Sequence, residues 1–391
     1  MVNTLNFYDR LALGAIVEPL RHEFRLSDAQ IGALVTWFTI VFAVAGLPLG
    51  RLADKASRRW LLAVGVAAWG GLTGLAGLAS SYAMLLVTRL GVGIGEAVCA
   101  PVATSWIADI VPAGRRAKAM AGFMLAIPVG GLLSYSLTGP LAQAYGWRIA
   151  LAVAAAPVIV LAPGILWLSE PESGSGLGRQ GSGWRGLGMG FWWIAASGAV
   201  INFALYGLST FLPAYLTRYH EVSVAQAGVW MGVGTGLSGI AGAGAVWALG
   251  DRVRNRLCLA AAASILAALP LFAAVRLAPG MGGASVWLAM LGYGLLQMYY
   301  GLAYAAIQDR VQPSLRATAM AVYLVVTYLG GASWGPVVMG GASDLLARRA
   351  AGIGPVTEAA RAAGLHGAMY LIPALAVVLG WVLWMAARRT A

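Results

Sequence analysis

Four ionisable side chains interrupt runs that are otherwise apolar: Asp9 and Arg10 near the start, and Arg89 and Glu96 further along. A charge within a bilayer-spanning helix costs about 2.5–3.5 kcal/mol on insertion scales, so such groups mark function by default. Arg89 and Glu96 are seven residues apart, two helical turns and about 10 Å of rise, so on one helix they share a face. Gly91, Gly93 and Gly95 between them remove side chains and let a neighbouring helix or a bulky ligand approach. The guanidinium of Arg89 is a planar fork suited to a phosphate. Glu96 can neutralise it or take up a proton. The second part of the chain offers aromatic and amide groups instead: Asn202, Phe203 and Tyr206, then Tyr293, Gln297, Tyr299, Tyr300 and Tyr304, then Tyr323, Tyr328 and Trp334. A cavity charged on one wall and aromatic on the other suits an amphipathic molecule.

Other chemistries are excluded by residue usage. The two cysteines, Cys99 and Cys258, lie in apolar runs, which argues against a disulfide framework or a thiolate metal site. His22, His220 and His366 fall in predicted loops with no partner at metal-ligand spacing, so no metal and no cofactor is expected. Lys55 and Lys118, the only lysines, each precede alanine, so a G-x-x-x-x-G-K-[ST] phosphate loop cannot be written. No histidine sits in a span to act as a base, and the chain is expected not to be an enzyme. None of the four asparagines begins an N-x-[ST] acceptor. Asp9, Arg10 and Glu18 do not suit a cleaved signal peptide, so the start is expected to be a first span with almost no leader.

These residues must be held by membrane helices. The chain has 391 residues, 60% hydrophobic and 10% charged, against about 45–50% and 25% in soluble proteins. Apolar runs predict spans near 4–20, 30–49, 60–79, 83–106, 117–140 and 147–168, then 189–215, 225–248, 257–275, 286–306, 317–339 and 368–386. Two six-helix halves, 1–168 and 188–391, are expected on either side of a Gly/Ser-rich linker, 169–187. Loops on the side of the termini hold sixteen Lys and Arg and the opposite loops eight, with Arg10 and Arg89 completing the 26. By the positive-inside rule both termini are expected in the cytoplasm. The net charge of +12 is therefore a topology signal, and no nucleic-acid partner is expected. High Ala, Gly and Arg usage and short loops suggest a bacterial source and hence the inner membrane.

An internal repeat sharpens the architecture. Leu26-Ser27-Asp28-Ala29-Gln30-Ile31-Gly32 returns 196 positions on as Val222-Ser223-Val224-Ala225-Gln226-Ala227-Gly228. Ile107-x-Asp109-x-Val111, Arg116-Ala117-x-Ala119-Met120-Ala121 and Gly130-Gly131 return 200 positions on, at Ile307, Arg316 and Gly330. An offset containing an even number of spans makes the halves parallel repeats about an axis along the membrane normal, the relation found in major facilitator transporters. A third repeated element, Gly50-Arg-Leu-Ala-Asp54-Lys55-Ala-Ser-Arg58-Arg59, is answered by Asp251-Arg252-Val-Arg254-Asn-Arg256. It resembles the G-x-x-x-D-[RK]-x-G-R-R signature of the major facilitator superfamily, with Ser57 in place of the second glycine. Gly50, Asp54, Lys55, Arg58, Arg59, Asp251 and Arg252 would form a cytoplasmic gate, Asp54 capping a helix or pairing with a cation in one state only.

A closer resemblance lies in Asn6-Phe-Tyr-Asp9-Arg10, in Arg89-Leu-Gly-Val-Gly93-Ile-Gly95-Glu96-Ala97, and in Ala126-Ile-Pro128-Val-Gly130-Gly131 followed by Tyr135. These look like the spinster family of lipid transporters, most clearly over residues 6–150. The resemblance implies an all-α fold of twelve helices and transport of lysophospholipids or sphingosine-1-phosphate-like lipids by alternating access. It further implies a polar substrate and proton-coupling site at Asp9, Arg10, Arg89 and Glu96, with Tyr135 and Tyr300 lining it. Asn202, Phe203, Tyr206 and Gln297 are expected to line the cavity from the other half. The expected partners are an amphipathic substrate and membrane lipids, with the chain acting as a monomer; export of drugs or small organic anions is the alternative.

Overall fold

The computed structural model describes residues 1–53, 56–168, 187–250, 252–253, 255–312 and 316–388, and these are helical with no strand among them. The helices are α1 Val2–Ala15, α2 Val17–Phe24, α3 Asp28–Ala53, α4 Arg58–Ala76, α5 Tyr82–Glu96, α6 Cys99–Ile110, α7 Ala113–Met124, α8 Ala126–Tyr145, α9 Trp147–Ala155 and α10 Val158–Leu166. They continue with α11 Met189–Tyr219, α12 Val224–Leu249, α13 Arg256–Arg276, α14 Gly282–Arg310, α15 Arg316–Thr327, α16 Gly335–Ala351, α17 Glu358–Met369 and α18 Leu371–Arg388, a π-helical turn at Tyr328–Ala332 joining α15 towards α16.

Ten helical segments among the described residues are long and apolar enough to cross a bilayer. The broken pair α1–α2 and the 29-residue α14 complete the expected twelve crossings. These two fall behind in apolarity for a chemical reason: one carries Asp9 and Arg10, the other Tyr293, Gln297, Tyr299, Tyr300 and Tyr304. Large side chains such as Trp247, Ile159 and Val160 are exposed where a bilayer would cover them.

Five breaks within the crossings have a common cause. A proline cannot donate to the carbonyl four residues back and its ring crowds that carbonyl. α1 ends at Ala15, four before Pro19; α5 ends beside Ala97, four before Pro101; α7 ends at Met124, four before Pro128. The π turn ends at Ala332, four before Pro336, and α17 ends at Met369, four before Pro373. Pro140, Pro213 and Pro270 remain inside α8, α11 and α13. The eleventh crossing runs to Ala351 rather than 339, and the twelfth begins at Glu358 rather than 368. His366 consequently lies in α17 and His22 in α2, which corrects their assignment to loops.

Two compact units emerge, one of Met1–Leu26, Trp37–Gly178 and Val224–Gly232, the other of Ser27–Thr36, Arg179–Ser223 and Val233–Ala391. The first is built on a core of Val66, Trp69, Val92, Val102 and Trp106. Its helices α1 and α8 meet at Gly130, where a Cβ would stand 2.7 Å from the Phe7 Cβ and 2.8 Å from the Thr4 carbonyl oxygen. In the repeated pair Gly330-Gly331 it is Gly331 that meets the second unit's α11 closely, where a Cβ would stand 2.1 Å from the Ala199 carbonyl oxygen.

The loop end of α2 is tied to α9. Glu23 accepts from the Trp147 indole at 2.5 Å and from Arg148 at 2.7 Å. Desolvation acts to raise the carboxyl's pKa, but these two donors and the Arg148 charge hold it below the usual range.

Two stability outcomes are expected from thermal melts in detergent. Gly130→Ala should destabilise the first unit by about 1–3 kcal/mol through overpacking, whereas Gly71→Ala, where a Cβ meets nothing within 4 Å, should not. Because its folded pKa is depressed, Glu23 stabilises above its unfolded pKa, and that contribution disappears as pH falls through the folded value. Glu23→Gln should therefore melt below wild type at pH 7, with the gap closing on acidification.

Candidate functional site

α1 carries Asp9 and Arg10 side by side, and each reaches a different partner on α5. Arg10 donates to the Glu96 carboxylate from Nη2 at 3.1 Å and Nε at 3.3 Å, and Nη2 also lies 3.3 Å from the Asn6 side-chain oxygen. Arg89 places Nη1 3.5 Å from Asp9 Oδ1. Thr73 on α4 donates to Asp9 Oδ2 at 2.5 Å. The four charged residues thus form two ion pairs inside the first unit, each between α1 and α5. Asp9 and Arg89 are 2% exposed and Glu96 0%, and the Arg10 side chain is 6% exposed.

Of the two roles open to Glu96, neutralising Arg89 or taking up a proton, the first is not made as a direct pair here, since Glu96 takes Arg10 and Arg89 takes Asp9. Two turns of separation on α5 keep Arg89 and Glu96 apart, and the adjacent α1 pair offers each a closer counter-charge. Glycines make the approach of neighbours possible: a Cβ at Gly93 would stand 2.9 Å from the Phe38 carbonyl oxygen, and one at Gly95 2.9 Å from the Trp69 backbone nitrogen.

Arg10 is also enclosed by aromatic faces, with Phe42, Phe7 and Phe38 ring centroids 4.2, 5.1 and 5.5 Å from its guanidinium carbon. Such contacts lower the cost of a buried cation. Arg89 is held less completely. Its Nε and Nη2, together with Glu96 Oε1, Asp9 Oδ1 and Asn6 Nδ2, are buried without a hydrogen-bond partner. An unmet buried polar atom costs about 1–3 kcal/mol, and its presence in a native protein calls for a reason. The arrangement can bind an anion through Arg89 and can exchange a proton for an arginine contact.

In the second unit the Asn202 side-chain oxygen accepts from Tyr300 at 3.2 Å and its amide donates to the Gly198 carbonyl at 3.0 Å. Gln297 donates to the Tyr293 hydroxyl at 3.3 Å, while its Oε1 is buried without a partner. Tyr206 meets Tyr328 edge-on at 6.3 Å, and the half-buried Phe203 sits on α11 with its backbone against Gly335. Tyr299 bonds both Ser197, at 2.9 Å, and Tyr323, at 3.1 Å. Tyr135, in the first unit, is 1% exposed on α8.

Of the gate residues, Gly50 ends a turn of α3 near the Pro101 side chain, Arg58 is buried at the start of α4, Arg59 is half-buried beside it, and Arg252 is exposed. Asp54, Lys55 and Asp251 lie outside the described residues, as do 169–186 of the linker. Ser57, where the motif carries glycine, caps α4 by accepting from the Trp60 backbone at 3.4 Å. Arg256 pairs with Asp309 of the repeated Ile-x-Asp-x-Val motif. Arg21 and Arg218 are also buried, paired at 3.1 Å with Glu18 and at 2.8 Å with Asp28. The signal for them was an acidic residue at a helix start facing an arginine at a helix end. Cys99 is buried, Cys258 is exposed and neither is oxidised; no cluster of metal-ligating side chains occurs among the described residues.

Comparison with known proteins completes the description. Residues 1–336 match the model of the Major Facilitator Superfamily. An MFS-type efflux pump of Mycolicibacterium smegmatis is 33% identical, the alignment covering 100% of this chain and 91% of that one. The sphingosine-1-phosphate transporter SPNS2 of Danio rerio is 26% identical over 88% of this chain and 74% of its own length. The fold matches the inward-facing, occupied crystal structure of a bacterial homolog of the human lysosomal transporter spinster, with a TM-score of 0.89 and 26% identity over 100% of this chain and 95% of that one. The chain belongs to the Major Facilitator Superfamily and, within it, resembles the spinster transporters.

Proposed function

We propose that this protein is a proton-coupled secondary transporter of an amphipathic anionic or zwitterionic lipid, of the lysophospholipid or sphingosine-phosphate kind. The observation that carries the proposal is the pair of buried α1–α5 ion pairs in which Arg89 keeps two N–H donors without a partner. Uptake of a proton at Glu96 or Asp9 weakens the hold on an arginine, which then engages the headgroup. The acyl chain lies along the aromatic and amide side chains of Asn202, Phe203, Tyr206, Gln297 and Tyr300. Rocking of the two repeats exposes the site to each side in turn, with the Gly50–Arg59 and Asp251–Arg252 segments gating the cytoplasmic side. The chain acts as a monomer in the cell membrane with both termini in the cytoplasm, the side favoured by sixteen basic residues.

A second reading, export of drugs or small organic anions, draws on the likeness to the mycobacterial efflux pump. Proteoliposomes with an imposed pH gradient separate the two. Uptake of a lysolipid in preference to water-soluble anions and drug-like cations supports the lipid reading; the reverse order replaces it.

Two variants test the coupling. Glu96→Gln should abolish the dependence of transport on the pH gradient while leaving substrate binding measurable, and an unchanged rate and pH dependence sinks the scheme. Arg89→Lys keeps the charge but loses the fork, and should weaken binding of a phosphate-bearing lipid by about tenfold, the worth of one charge-assisted hydrogen bond. Binding of a headgroup-free fatty alcohol should not change.

A further inference from the structure

The start of α3 is anchored more heavily than a helix terminus requires. Asp28 is 1% exposed and accepts two parallel bonds from Arg218, Nη1 and Nη2 each at 2.8 Å. The Ser343 hydroxyl donates to it at 2.7 Å. Asp344 in turn caps the α3 terminus from 315 residues away, its two oxygens taking the backbone N–H of Asp28 at 3.0 Å and of Ala29 at 2.9 Å. The backbones are in direct contact: a Cβ at Gly340 would stand 2.2 Å from the Asp28 carbonyl oxygen, and one at Gly32 2.3 Å from that of Pro336. All these residues belong to the second unit, yet α3 continues from Trp37 into the first.

The internal repeat supplies a control within the same molecule. Val224 stands 196 positions after Asp28, and Gln143 stands 201 before Asp344. Within the first unit, Gln143 caps the start of α12 by accepting from the Ala225 N–H at 2.8 Å. Gly228 and Gly139 bring the backbones together there as Gly32 and Gly340 do at the other crossing. The geometry is shared and the charge is not. Losing a neutral amide cap costs little, whereas stripping a buried charged group of its partner costs several times as much.

We infer that the Asp28–Arg218–Ser343–Asp344 cluster is a conformational latch: residues 27–36 leave their seat on α11 and α16 only when these bonds break together, and this step limits exchange between transport states. The repeat-related Gln143 crossing releases without such a barrier. The inference depends on alternating access by the superfamily fold and not on which substrate is carried.

The test uses detergent-solubilised full-length protein carrying Cys258→Ser and a reporter, Ile31→Cys, a position 0% exposed on the seated segment. Labelling of the reporter by a water-soluble maleimide reads how often the segment leaves. Asp344→Asn and Arg218→Gln should each accelerate labelling by tenfold or more, Arg218→Lys by less, and Gln143→Ala by no more than twofold. Size-exclusion profiles and melting temperatures identify any variant that has unfolded. For such a variant Arg218→Lys decides alone, since it retains the charge. Equal labelling rates in wild type and in folded Asp344→Asn or Arg218→Lys overturn the latch. An equally large effect of Gln143→Ala overturns its assignment to the charged crossing.

Discussion

Two ion pairs placed in the interior of a membrane protein govern how the rest of the first unit is built. Neither Arg10–Glu96 nor Arg89–Asp9 is tolerable alone, because removing one partner leaves an uncompensated charge in a low-dielectric setting. Their members therefore come from two helices that must stay adjacent. Glycines at 93 and 95 on α5 and at 130 on α8 give the close approaches that keep neighbouring helices in place, and Thr73 reaches across from α4 to fix Asp9. Phe7, Phe38 and Phe42 surround the Arg10 guanidinium. What remains unsatisfied includes two donors of Arg89, one oxygen each of Asp9 and Glu96, and the Asn6 amide.

The second unit solves a different problem with the same scaffold. The repeat provides α11 and α14 in the roles of α1 and α5, but the polar groups between these two helices are hydroxyls and amides that bond to one another and to Tyr323: Tyr300 to Asn202, Tyr299 to Ser197 and Tyr323. Such a network is neutral in every state. The charged quartet Asp9, Arg10, Arg89 and Glu96 lies in one unit, and the hydroxyl and amide network in the other. The two units share a close backbone contact at a repeated glycine pair, through Gly130 in one and Gly331 in the other, and differ in their chemistry.

Much of this was legible in the sequence. The number of crossings followed from apolar runs, and the charged quartet from the cost of placing Asp9, Arg10, Arg89 and Glu96 in them. Pairing was not legible, because a seven-residue spacing reports a shared face on α5 and says nothing about which neighbour supplies the counter-charge. The Asp28–Arg218 pair escaped for a related reason: each residue stands at a helix end, where a charge is ordinarily solvated, and only the tertiary approach of α3 to α16 buries them. The ends of the eleventh and twelfth crossings were misplaced because Arg348, Arg349 and Glu358 look like loop residues although the helices continue through them.

The proline-directed break after α5 has an electrostatic consequence. Because Pro101 cannot satisfy the carbonyl four residues before it, α5 stops beside Ala97 and Glu96 becomes its last residue. The peptide dipoles of fifteen residues then converge on a negative end at the very place where the carboxylate sits, and a helix terminus of that sign repels an anion. An unbroken helix would have carried that end about four turns further on, to Ile110. The arginine of α1 therefore answers two negative sources at once, a side chain and a helix end. The location of a single imino acid five residues downstream sets how strongly the two membrane helices hold each other.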